Sequence, residues 1–186
     1  MSGVEKDILN FIANFGETII LLLPLAAICF YVATHGALRL ATAWFCAFIL
    51  CAAIAGGLKA IVWPVSGHAD ISLAFYGGLA ALLWRTAGHP SSALRALVLT
   101  LVGVAALVTW SVWMLSWHPI KDIAAGLLVG SLSPLVIFMM PGRALLSRRA
   151  PFVAVLIALL LILPLHGLRL NYAYAAGKVI RTLDRI

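Results

Sequence analysis

Residues 18–34 read TIILLLPLAAICFYVAT, an apolar run without a single charge. A helix needs roughly 20 residues of this kind to cross a hydrocarbon core of about 30 Å. Five further charge-free runs follow, at 41–58, 71–84, 96–117, 123–140 and 150–168. The chain has 186 residues, of which 64% are hydrophobic and 10% charged, with a mean hydropathy of +1.11. No soluble domain of this size hides so much apolar surface, so the composition points to a multi-span membrane protein. The runs lack the two-residue alternation of a membrane barrel, which leaves helix as the spanning form. The expected fold is therefore all-α: an integral membrane six-helix bundle. The third run is short, and the side chains of Asp70 and Arg85 at its ends are expected to reach the interface and extend it. Pro24, Pro134 and Pro164 predict kinks. Gly126 and Gly130, like Ala52 and Gly56, form small-xxx-small pairs that permit close helix contact within the bundle.

The chain divides into three parts. Residues 1–16 predict an interfacial amphipathic helix, with Val4, Ile8, Phe11 and Ile12 close to one face. Residues 17–168 hold the six spans. Residues 169–186 form a basic amphipathic tail in which Arg169, Lys178, Arg181 and Arg185 are drawn to acidic headgroups. Glu5 and Asp7 precede the first long run, unlike the basic start of a cleaved signal peptide. Cys29, Cys46 and Cys51 all fall inside apolar runs and argue for neither a disulfide nor a metal framework.

Charge placement gives an orientation. The turns after the first, third and fifth runs carry Arg39, Arg85, Arg95, Arg143, Arg148 and Arg149 and no acid. Every acidic residue (Glu5, Asp7, Glu17, Asp70, Asp122, Asp184) falls on the other side, together with Lys6, Lys59 and Lys121. The positive-inside rule makes the arginine-only side cytoplasmic and places both termini outside. The net charge of +7 is thus distributed for contact with membrane lipids, not nucleic acid.

Two polar islands interrupt the apolar sequence on that outer side: Val65-Ser66-Gly67-His68-Ala69-Asp70 and Trp117-His118-Pro119-Ile120-Lys121-Asp122. His118 and Asp122 are four apart at a helix start and share one face. A carboxylate beside an imidazole fixes its tautomer and raises its competence as nucleophile or base. Pro119 suits the first helical turn, whose free N–H groups attract an anion. Ser66 is a natural cap, Gly67 admits close backbone approach, and His68 adds a second imidazole. Lys59 ends the second run on the same side. Asp70 and Lys121, taken singly, read as solvated loop residues. Together the islands suit phosphoryl transfer: one imidazole attacks, the other protonates the leaving oxygen, and cations and N–H groups hold the equatorial oxygens. A haem or metal reading of His68, His118 and His166 fits less well, because such ligands would face one another inside the bundle.

These residues resemble the type 2 phosphatidic acid phosphatase family. That family carries a Lys followed after six residues by Arg-Pro, a Pro-Ser-Gly-His motif, and Ser-Arg, five residues, His, three residues, Asp. Ser66-Gly67-His68 resembles the second motif, Ser111 with His118 and Asp122 has the spacing of the third, and Lys59 resembles the Lys of the first. The resemblance implies His118 as nucleophile, forming a phosphohistidine, Asp122 as its orienting carboxylate, and His68 as general acid. Lys59, Ser66 and the Gly67 N–H would bind phosphate, with Ser111 in the third motif. It implies no cofactor and no metal, and a lipid phosphate or polyprenyl diphosphate as substrate. The chain departs from the pattern at both phosphate-clamping arginines: no Arg-Pro follows Lys59, and Val112 stands where the third motif has Arg. Val65 replaces the Pro of the second motif. Lys121, Arg169 or another tail arginine is then the candidate replacement cation. The alternative is a catalytically impaired relative that binds an anionic lipid or a membrane-protein partner.

Overall fold

The computed structural model describes residues 2–61, 65–86, 91–141, 146–147 and 149–166. Arg143, Arg148 and the tail at 169–186 lie outside the described residues. The described chain is helical, with no strand among these residues. Helix α1 spans Gly3–Ala13, α2 Thr18–Val32, α3 Leu38–Ile61, α4 Gly67–Ser72 and α5 Gly78–Thr86. Helix α6 spans Ser92–Met114, α7 Ile120–Gly130, α8 Leu132–Met139 and α9 Ala150–Leu165. Among the described residues, three helical stretches can cross a membrane by length and composition: Gly3–Ile61, Ser92–Met114 and Ile120–Met139. Ala150–Leu165 is apolar but shorter.

Breaks in these stretches have local causes. Helix α1 opens on a capping box: Ser2 Oγ accepts from Glu5 N at 3.3 Å, and Glu5 Oε2 accepts from Ser2 N at 2.6 Å. Glu17 is extended and starts α2. The chain reverses between α2 and α3 at Gly36, whose φ of 91° is the left-handed conformation that glycine adopts without strain. Pro24 and Pro164 lie inside α2 and α9. Pro134 stands in the first turn of α8, just after Ser131 separates it from α7. A proline there has no N–H to continue the α7 ladder, which accounts for the interruption.

The short third run has a different explanation from the one its sequence suggests. Helices α4 and α5 are joined by a π-helical turn at Leu73–Gly77, and no residue from Val65 to Leu83 is exposed. This segment is enclosed by protein, with α3, α6 and α7 packed around α4 and α6 and α8 around α5. A helix buried all round needs no lipid-matched length. Small residues make the enclosure possible. A Cβ at Gly126 would meet the Ser66 carbonyl oxygen at 2.5 Å, and Gly130 approaches the Asp70 backbone as closely. The Gly126/Gly130 pair thus seats α7 on α4, whereas a Cβ at Gly56 would meet nothing within 4 Å.

Arg85 joins α5 to α8 at the far end. Its guanidinium donates to the carbonyls of Ile137 at 2.5 Å and Phe138 at 2.8 Å, and also to that of Met140. These are the carbonyls a helix C-terminus leaves without partners, and the cation also meets the negative end of the α8 dipole. Helix α1 buries Leu9 and Ala13 and packs on α6, while Val4, Ile8 and Phe11 stay exposed. Around the rest of the molecule Phe30, Leu50, Leu99, Leu107, Trp113, Leu128, Leu160 and Leu163 are likewise exposed. An apolar outer surface of this extent is compatible with a membrane protein.

Candidate functional site

The two islands are joined backbone to backbone. Ser66 N donates to the Asp122 carbonyl at 3.0 Å, so the α4 start and the first turn of α7 meet at one end of the helices. Ser66 is the N-cap of α4. Its Oγ accepts from Ala69 N at 3.4 Å and its carbonyl from Asp70 N at 3.1 Å. The N–H groups of Gly67 and His68, first in the helix, have no intrahelical acceptor to reach.

The second island is positioned by how α6 ends. Ser116 N donates to Trp113 O at 2.9 Å and Trp117 N to Val112 O at 3.2 Å, the paired bonds of a Schellman motif. That motif needs a left-handed residue, and Ser116 takes it with φ 55° where glycine would be usual. The chain then passes through His118 to Pro119, the N-cap of α7. Pro119, expected in the first helical turn, stands just before it, at the N-cap. Its carbonyl accepts from Asp122 N at 3.0 Å.

His118 Nδ1 lies 3.8 Å from Asp122 Oδ2. This is an electrostatic contact longer than a hydrogen bond. The Asp122 side chain is only 3% exposed, and its Oδ1 has no partner among the described residues. Burial pushes the His118 imidazole below its ordinary value, and the nearby Lys59 ammonium and His68 push the same way; Asp122 opposes them. The balance favours neutral imidazole, the form that attacks as a nucleophile.

His68 has its own carboxylate. Its Nε2 stands 3.2 Å from Glu17 Oε1, which requires the proton on Nε2 when Glu17 is ionised. The Trp117 ring covers His68, with centroids 5.3 Å apart. Gly16 lets the Glu17 segment approach: a Cβ there would meet the His68 carbonyl oxygen at 3.1 Å and Val108 Cγ1 at 2.7 Å. Sequence spacing does not connect Glu17 to the two islands, although it directly precedes the first long run on their side.

The remaining predicted residues are placed as follows. Lys59, in the last turn of α3, is exposed and close enough to His118 to shift its titration. Lys121 is exposed on the first turn of α7. Ser111 is fully buried and donates its hydroxyl to Val108 O at 2.7 Å. Asp70 is not the solvated loop residue that its sequence context suggests; its side chain is wholly buried in α4. His166 is held between Phe11 and Phe15, with Nε2 at 2.8 Å from the Phe11 carbonyl. Among the described residues no group of three His, Cys, Asp or Glu side chains is arranged to hold a metal ion.

No family model matches the chain, and neither a curated protein nor a solved structure does.

Proposed function

We propose that the chain is a membrane-embedded phosphatase, similar to the type 2 phosphatidic acid phosphatases, that hydrolyses a lipid phosphate or polyprenyl diphosphate at the extracytoplasmic face. In this reading the six membrane crossings are α2, α3, the α4–α5 segment, α6, the α7–α8 segment and α9. Helix α1 lies at the interface, with Val4, Ile8 and Phe11 turned to lipid.

The observation that carries the reading is the meeting of two carboxylate–imidazole pairs, His118 with Asp122 and His68 with Glu17, at islands joined by the Ser66–Asp122 backbone bond. Neutral His118 attacks phosphorus, forming a phosphohistidine as the bond to the leaving oxygen breaks. His68 gives that oxygen a proton, then takes one from the water that releases phosphate. Asp122 stabilises the positive charge that His118 acquires. Lys59, Lys121 and the free N–H groups at Gly67 and His68 hold the phosphate oxygens. No step calls for a cofactor.

A second reading rests on the two missing arginines. Each charge-assisted hydrogen bond lost with them is worth about 1.5–3 kcal/mol. A chain that binds an anionic lipid or a membrane-protein partner without turnover would tolerate that loss. The test is phosphate release from lipid phosphates and diphosphates in the presence of a chelator. Release that disappears in His118→Ala supports the enzyme, and lipid retained without release supports the binder.

A further inference from the structure

Asp70 has no part in the chemistry above. Neither of its carboxylate oxygens has a hydrogen-bond partner among the described residues, and the side chain is fully buried. A buried carboxylate is strongly unfavourable unless a positive charge or a proton meets it. Asp70 lines a cavity of about 190 Å³ together with Thr18, Ala52, Ala55, Gly56, Lys59 and Gly67. Lys59 is exposed and Asp70 is not, so the cavity runs from an accessible cation to an enclosed anion. No ion pair joins the two among the described residues.

The size and walls of this cavity restrict its occupant. Its volume holds more than one water or bare ion. Sites for drug-sized ligands are larger, at roughly 300–1,000 Å³. Calcium would need six to eight oxygen ligands, far more than one carboxylate supplies. Cys51, the other titratable group near Asp70 on α3, donates its thiol to the Val129 carbonyl at 3.2 Å. The walls between the charges are Ala52, Ala55 and Gly56, and an added Cβ at Gly56 would meet nothing within 4 Å. The lining thus combines a cation at Lys59, small apolar walls and an anion at Asp70.

We propose that this cavity takes the headgroup of an aminoalkyl phosphate, its phosphate at Lys59 and its primary ammonium at the Asp70 carboxylate. The assignment rests on the reading of Lys59 as a phosphate ligand. It adds to that reading a preference for phosphates that carry an amine on a short carbon link, whether in a lipid headgroup or as a free compound.

Binding is measured on the full chain carrying His118→Ala, which removes turnover. Free O-phosphoethanolamine is compared with ethyl phosphate, which lacks the amine. The ammonium should tighten binding by about tenfold, the effect of one charged hydrogen bond. Asp70→Asn should erase the preference and leave ethyl phosphate binding unchanged. Gly56→Leu, which fills the cavity and keeps the carboxylate, should weaken O-phosphoethanolamine more than ethyl phosphate and serves if the Asp70 variant fails to fold. Phosphatidylcholine vesicles doped with phosphatidylethanolamine or with phosphatidic acid form the lipid arm. A preference seen only there assigns the headgroup to a lipid, and one seen with the free compounds assigns it to a soluble phosphate; both support the inference. Equal affinities in every arm, including no binding, overturn it, as does a preference that survives Asp70→Asn. Preference without phosphate release from the unmodified chain defeats the phosphatase reading and leaves this one standing. Release without preference does the reverse.

Discussion

The backbone N–H of Ser66 donates to the carbonyl of Asp122 at 3.0 Å, tying the start of α4 to the first turn of α7. Because Asp122 also faces His118, this one bond sets how the His68 island stands relative to the His118 island. Gly126 holds the two helices close enough for it to form. Gly126→Ala should therefore destabilise the protein by about 1–3 kcal/mol, the range for overpacking a tight contact. Thermal unfolding in detergent measures the loss, and an unchanged midpoint would show that α4 and α7 are not seated as described.

His118 titrates below the ordinary imidazole value because it is buried and faces Lys59 and His68. If its neutral form is the nucleophile, the acid limb of the pH–rate profile falls below pH 6.5, the ordinary value. Lys59→Met removes one cause of the shift and should move that limb upward. The same shift bears on stability. A depressed imidazole binds fewer protons folded than unfolded, so stability is full above the unfolded value and declines as pH falls toward the folded one. Unfolding midpoints measured across that window should decline on the acid side, and His118→Gln should flatten the decline.

Glu17 reaches His68 from the other side of the site. His68→Ala should lower turnover by on the order of 10²-fold or more, the usual contribution of a general acid. Glu17→Ala should produce a smaller loss, and Glu17→Gln, which keeps an acceptor for Nε2, should restore part of it. Equal turnover in all three variants would remove both residues from the mechanism.

Ser116 carries the left-handed turn that ends α6. Glycine pays no Cβ penalty there, so Ser116→Gly should stabilise the fold by up to about 1 kcal/mol. A gain in unfolding midpoint is the expected result, and a loss would show that the Ser116 side chain itself contributes.

Much of this arrangement is legible in the sequence because it is local. Apolar runs without alternation announce helices, and the helices occupy them. His118 and Asp122 share a face because four residues make one turn, and Ser66 caps α4 as serine before a helix does. What stays hidden depends on tertiary packing. The Glu17–His68 pair joins the ends of α2 and α4, which no periodicity connects. Asp70 reads as part of a wet island until α3, α6 and α7 are packed around α4. In sequence the short third run reads as a span extended by its charged ends. Its burial on all sides depends on Gly77, Gly78, Gly126 and Gly130 lying at contacts, which spacing alone does not reveal.

The central claim is that His118 attacks a phosphorus atom. Purified protein, treated with a chelator and given lipid phosphates and polyprenyl diphosphates in mixed micelles, should release inorganic phosphate. The His118→Ala protein, folded to the same thermal midpoint, should release none. Absence of release from the folded unmodified chain across the whole set, or equal release from His118→Ala, would contradict the account.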